Sequence, residues 1–228
     1  MKRIKLIRVT TIPLSLNLLL RNQLRRLSDH FEVIALSSPG PELLEVGLRE
    51  GVRTIAVSIE REITPIKDFI SLLTIAKVFW RERPDIVHAN TPKGSLLSIC
   101  AAALTFVPVR IYTITGLRYE TEFGLKRQIL ILMEKLTCFF ATHVIAESAG
   151  VKRMIVADKL TAKEVYKIGN GNINGIDPTY WDSNKVSDEE KNLLKKQLKY
   201  SEDDFVFIFI GRIVTDKGIN ELIQVFKE

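Results

Sequence analysis

The residues best equipped for chemistry lie where strand-like runs give way to helix-like ones. His88-Ala-Asn-Thr-Pro-Lys93-Gly94-Ser95 is one such junction. Backbone N–H groups left free at a helix N-terminus, joined by a lysine, make an anion site, so Lys93 is either an anion ligand or a solvated cap residue. His88 is either a second polar ligand or a strand-end histidine satisfied by a backbone carbonyl. A second junction, 115–122, carries Arg118 and Glu120, polar enough to hold hydroxyl groups, although a plain loop accounts for them equally well. Thr10 and Thr11 open the first loop and are its ligand candidates. Near the end of the chain, six apolar residues (205–210) run into Gly211-Arg212, and Lys217-Gly218 follows. Ligands of open parallel sheets sit at the carboxyl ends of strands, where Arg212 and Lys217 fall. The alternative for both is a solvated loop charge.

Holding these loops at one edge requires strand and helix to alternate, and the hydrophobic pattern does so from the start. Strands are predicted over 4–9, 31–36, 52–57, 86–89, 109–114, 142–146 and 164–168. Between them come helices over 16–28, 41–50, a longer one ending near Arg83, 93–106, one ending near Ala141, and 149–157. This is an α/β pattern, a doubly wound parallel sheet over 1–168. Residues 169–204 are rich in Gly, Asn and Asp and read as an interdomain linker, with Ser187 and Glu190 spaced as a helix capping box. Residues 205–228 read as a strand, a crevice loop and a helix, the first unit of a second domain that is only begun.

Composition bounds the rest. The chain has 228 residues, 46% hydrophobic and 26% charged, ordinary for a soluble globular protein, with a formal charge of +6. That charge suits an anionic ligand or membrane surface as well as plain solvated faces. Leu14, Leu16, Leu18 and Leu19, with Arg21, Arg25 and Arg26 beyond them, either dip into a membrane interface or form core leucines plus a basic face. Cys100 and Cys138 lie in apolar helical stretches and read as core residues of a reducing compartment. No run suits a signal peptide or a membrane span, so a cytoplasmic protein is expected, with peripheral membrane contact a further expectation. His30, His88 and His143 lie far apart without partners at metal spacing, and no metal or cofactor is expected. Gly169 to Gly175 has the wrong glycine spacing for a dinucleotide loop; no Walker loop, Asp-x-Asp or Gly-x-Ser-x-Gly occurs.

The pattern Gly211-Arg212-x4-Lys217-Gly218-x3-Leu222-Ile223 resembles the start of the donor domain in family 4 glycosyltransferases, retaining enzymes with two Rossmann-like domains (GT-B). Asn174-Gly175-Ile176-Asp177 is similar to the segment closing their first domain. His88-x-x-x-Pro92-Lys93 is similar to the subgroup acting on lipid-diphosphate acceptors in surface-polysaccharide assembly. The resemblance implies that Gly211, Arg212 and Lys217 bind the diphosphate of a nucleotide-sugar donor. It also implies that Thr10, Thr11, His88, Lys93, Arg118 and Glu120 serve a lipid-diphosphate saccharide acceptor. The family's acidic pair is expected beyond Glu228, so the chain is expected to be an N-terminal fragment without turnover of its own. Thr115 stands where many relatives carry a histidine. Nucleic acid is not an expected partner. The competing expectations are a sugar-nucleotide epimerase of the same fold and a non-catalytic ligand-binding or regulatory domain. A flavodoxin-like regulator would need acidic residues where Thr10-Thr11 stand.

Overall fold

The computed structural model describes residues 3–201, 203–211, 213–214 and 217–227. They form two compact units, meeting in sequence between Gly175 and Ile176, inside the stretch expected to be the linker.

The first unit is a parallel sheet of seven strands: β1 (Lys5–Val9), β2 (Glu32–Ser37), β3 (Arg53–Ala56), β4 (Ile86–Ala89), β5 (Val109–Ile114), β6 (His143–Ala146) and β7 (Val165–Tyr166). Their spatial order is β3-β2-β1-β4-β5-β6-β7. The order reverses between β1 and β4, and the loops leaving these strands diverge to opposite faces, opening a crevice at their carboxyl ends. Val9 pairs with Ala89, which sets Thr10 beside Asn90 at the mouth of that crevice.

Side chains alternate across each strand and so divide the core. Leu6, Val33 and Ala35 pack under α1 (Pro13–Leu19), α2 (Gln23–Ser28) and α3 (Pro41–Glu50). Ile7, Val9, Val87 and Ala89 face the other way. They pack beneath α4 (Pro65–Glu82), α5 (Pro92–Leu104), α6 (Gly124–Phe140) and α7 (Ala149–Ala157).

Two expectations need correction. The helix predicted over 16–28 is two helices, because Asn22 takes the left-handed conformation at φ 63°. Asparagine tolerates that region, and the buried Glu50 carboxylate accepts from the Asn22 and Arg25 N–H groups at 3.0 and 3.1 Å, starting α2 afresh. The strand predicted over 205–210 belongs to no ladder among the described residues, and those six side chains are exposed. A strand buried on both faces exists only between partner strands, and no described residue supplies one.

The second unit holds α8 (Asp188–Leu198) and α9 (Ile219–Val225). The capping box forms as expected: Ser187 Oγ accepts from the Glu190 N–H, and Glu190 accepts from the Ser187 N–H at 2.9 Å. No described helix is long and apolar enough to cross a membrane.

Candidate functional site

The crevice loops are locked together before any ligand arrives. Thr11 Oγ1 accepts from the Gly94 N–H at 3.0 Å and shares a hydrogen bond with Thr91 Oγ1 at 2.8 Å. The Thr11 N–H donates to Thr91 Oγ1 at 2.8 Å. Ser95 N–H makes the first ordinary helical bond to Thr91 O, so the Gly94 N–H is the first-turn donor of α5 that the crevice loop takes up. The helix start fits so closely because position 94 is glycine. A Cβ there would stand 2.7 Å from Thr91 Oγ1 and 2.8 Å from the Thr11 nitrogen. Thr10 is fully buried, donates to Ile12 O at 2.9 Å and meets Ser37 Oγ at 3.1 Å. Both threonines therefore build the crevice wall with hydroxyls already partnered.

Lys93 runs sideways from α5 into the loop ahead of α4. Its ammonium pairs with Asp68 Oδ1 at 2.5 Å and donates to the Glu62 carbonyl. Asp68 also accepts from Thr64 N–H and Oγ1, both at 3.0 Å. The lysine is thus buried, fixed and charge-compensated. It lines a cavity of about 20 Å³, room for roughly one water-sized group. Arg61 and Arg118 line the same cavity, with Leu130 and Met133 as its apolar wall and Glu134 beside them. Two predicted ligands, Lys93 and Arg118, therefore meet; Glu120 lies exposed on the same short 3-10 turn, Arg118–Thr121. Tyr119 anchors that turn by donating to Asp158 at 2.5 Å.

Sequence reasoning missed Glu134. Its carboxyl accepts from Tyr112 Oη at 2.7 Å. Burial pushes its pKa up to about 7, against the lowering effect of that bond. The signal was available: a lone acid inside ILILMEKLTCFF. Arg8 was missed too. It is 1% exposed in the middle of β1 and has no ion pair among the described residues. It donates to His88 O at 3.3 Å and Gln23 Oε1 at 3.0 Å. Burial alone lowers its pKa to about 9. Gln23 donates onward to Ile173 O at 3.1 Å, tying the chain just before the unit boundary to the sheet.

His88 meets Thr113 Oγ1 at 2.8 Å. Burial and then the Arg8 charge hold its pKa well below the usual imidazole value, so it is neutral at pH 7. Among the described residues no carboxylate orients it, and it makes no hydrogen bond to Lys93. Gly211 and Lys217 lie exposed in the second unit; Arg212 lies outside the described residues. Among the described residues no group of three His, Cys, Asp or Glu side chains could hold a metal ion. Among the described residues of the first unit no base oriented by a carboxylate is in contact with a nucleophile.

A family model described as glycosyl transferase 4-like matches residues 10–148, from the first crevice loop to the cap of α7. The chain belongs to the glycosyl transferase 4-like family. All of it aligns at 38% identity with the capsular polysaccharide biosynthesis glycosyltransferase CapM of Staphylococcus aureus, covering 58% of that protein. It is 30% identical, over 75% of its length, to an Escherichia coli protein described as UDP-Gal:alpha-D-GlcNAc-diphosphoundecaprenol alpha-1,3-galactosyltransferase, covering 43% of it. The chain therefore spans about half the length of the curated relatives it matches. Among solved structures it is similar to Anabaena HepE in complex with UDP and glucose, with a TM-score of 0.64 at 15% identity over 86% of this chain and 50% of that one. Likeness at that identity shows the shared α/β fold alone.

Proposed function

We propose that this chain serves a retaining, metal-independent glycosyltransferase of bacterial surface-polysaccharide assembly. The sugar moves from a nucleotide diphosphate sugar to a lipid-diphosphate saccharide, and the first unit binds that acceptor. One observation carries the acceptor assignment. Exposed Arg61 and Arg118, with Lys93 paired to Asp68 behind them, line a one-water cavity beside the switch-point crevice, and in this reading the diphosphate sits at its solvent-side mouth rather than inside it. An amphipathic diphosphate needs that mixture: cations for its oxygens and an apolar surface for the first carbons of its lipid. The capsular and diphosphoundecaprenol relatives support the same reading.

In this reading the acceptor hydroxyl attacks the donor sugar from the side the diphosphate leaves, and the departing phosphate oxygen takes its proton. No base is then required of the first unit, in keeping with a neutral His88 that lacks a carboxylate partner. Gly211, Arg212 and Lys217 bind the donor diphosphate. Fixed cations there stabilise the leaving group more than the ground state, because its charge grows in the transition state. A lipid-linked acceptor also brings the enzyme to the cytoplasmic face of the membrane.

Titration calorimetry of the 228-residue chain with a water-soluble, short-chain polyprenyl diphosphate saccharide tests this. Binding is expected with the diphosphate and not with the free saccharide. Arg118→Ala, at an exposed position where folding is safe, is expected to weaken it at least tenfold, and Lys93→Ala to weaken it further. Equal affinity for ligands with and without the diphosphate, or full binding by both variants, would overturn the acceptor assignment.

A further inference from the structure

Two helices of the first unit are apolar on the face that meets water as well as on the face that meets the sheet. Helix α4 buries Ser71, Ile75 and Phe79, yet Ile66, Ile70, Leu73 and Trp80 stand 51–80% exposed. Helix α6 buries Leu130, Glu134, Thr137 and Cys138. On its outer side Leu125, Ile129, Leu132, Leu136 and Phe139 recur at alternating steps of four and three residues, 41–73% exposed. Helix α5 packs between the two; its Leu96, Cys100 and Ala103 are part-buried and its last residue, Leu104, is exposed. A surface helix ordinarily turns a polar face to water, and a broad apolar patch on a soluble domain marks a binding surface.

The charges on this layer say what it meets. Helices α4 and α6 carry six basic residues, Lys67, Lys77, Arg81, Lys126, Arg127 and Lys135. Lys67 pairs with Glu60 and Lys126 with Glu122, which leaves Lys77, Arg81, Arg127 and Lys135 as the cations without an ion pair among the described residues. The acids of both helices are engaged: Asp68 with Lys93, Glu82 with Lys5 and Arg53, and Glu134 with Tyr112. A second copy meeting this face across a two-fold axis would set basic residues against basic residues. An anionic lipid surface accepts both the leucines and the lysines. Leu14, Leu18 and Leu19 of α1 are also exposed, but α1 covers the opposite face of the sheet, so one bilayer cannot hold both. Helix α1 has seven residues and, although Arg21, Arg25 and Arg26 lie on its side of the sheet, its three exposed leucines make a smaller apolar face than the exposed apolar residues of α4 and α6.

We propose that the outer face of the α4–α5–α6 layer is the surface by which the protein lies on an anionic bilayer. The proposal deepens the lipid-linked acceptor reading and rests on it for its purpose. It places the Lys93 cavity, walled by α6 and the loop ahead of α4, at the rim of the membrane-facing layer, within reach of a diphosphate at head-group depth.

Flotation of the 228-residue chain with vesicles tests the face without any acceptor present. Binding is expected to phosphatidylglycerol–phosphatidylcholine vesicles, at least tenfold tighter than to phosphatidylcholine alone. Ile70→Glu and Leu132→Glu, both exposed and safe for folding, are each expected to lower it tenfold or more, whereas Leu18→Glu on α1 leaves it unchanged. With Trp181→Phe making Trp80 the lone tryptophan, emission is expected to shift blue on binding and to be quenched by brominated lipid. Loss of binding in Leu18→Glu alone would move the contact to α1. A dimer in sedimentation velocity that Leu132→Glu dissociates, with no flotation, would assign the face to a second copy. Either result, or no binding at all, overturns the proposal. Binding of the soluble diphosphate saccharide needs no vesicle, so the acceptor reading stands or falls separately.

Discussion

Glu134 shows how a residue can be visible in a sequence and still be undervalued. An acid within an apolar helix is easily taken for the solvated edge of that helix, yet this one is 6% exposed and held by Tyr112. Its pKa near 7 lies above the ordinary glutamate value of about 4.5. The folded state therefore binds a proton that the unfolded state has released between those values, and stability falls as pH rises through that window. A shift of about two and a half units corresponds to roughly 3 kcal/mol, fully lost above pH 7. Glu134→Gln keeps the acceptor for Tyr112 and removes the titration. It is expected to be about 3 kcal/mol more stable than wild type at pH 8, with the difference vanishing near pH 4; urea unfolding across that range measures it. A constant difference at all pH values would show that burial does not control this carboxyl. Lys93 and Arg118 were legible as cations following strands. Their convergence was not, because Lys93, Arg118, Arg61 and Glu134 reach the same cavity from separate parts of the chain.

At the scale of elements, local pattern located most strands and helices, since a buried parallel strand and an amphipathic helix leave different periods. Pattern failed where a distant residue decides. The carboxylate of Glu50 is what allows a new helix to start after Asn22, and nothing within 16–28 announces it. The start of α5 is the element on which the site depends most. Thr11, Thr91 and Gly94 close it against β1 through backbone contact, and the added Cβ of Gly94→Ala would meet backbone atoms that cannot rotate away. That substitution is expected to cost about 1–3 kcal/mol, as overpacking does elsewhere. It should also weaken diphosphate binding by displacing Lys93. Thermal unfolding and calorimetry on one sample check both. An unchanged melting temperature would mean that the loop yields, and that the close approach is not what holds Lys93 in place.

At the scale of the whole molecule, the alternation of strand and helix was enough to foresee a doubly wound parallel sheet, because few other arrangements bury strands on both faces. The strand order, and hence the crevice between β1 and β4, is a property of crossovers that no single segment carries. The same limit explains the run 205–210, whose six apolar residues are strand-like in isolation yet 40–85% exposed and outside any ladder among the described residues. The two units should then differ sharply in protection. Amides of β1 and β4 sit in the middle of seven hydrogen-bonded strands and open only with the unit as a whole, whereas amides of 205–210 have no ladder to break. Hydrogen exchange read by mass spectrometry on the 228-residue chain is expected to show full labelling of 205–210 within seconds. Peptides from β1, β4 and β5 should remain protected for hours under the same conditions. Slow exchange at 205–210 would mean that these residues have found a partner strand, and the original reading of that run as a buried strand would then be the correct one.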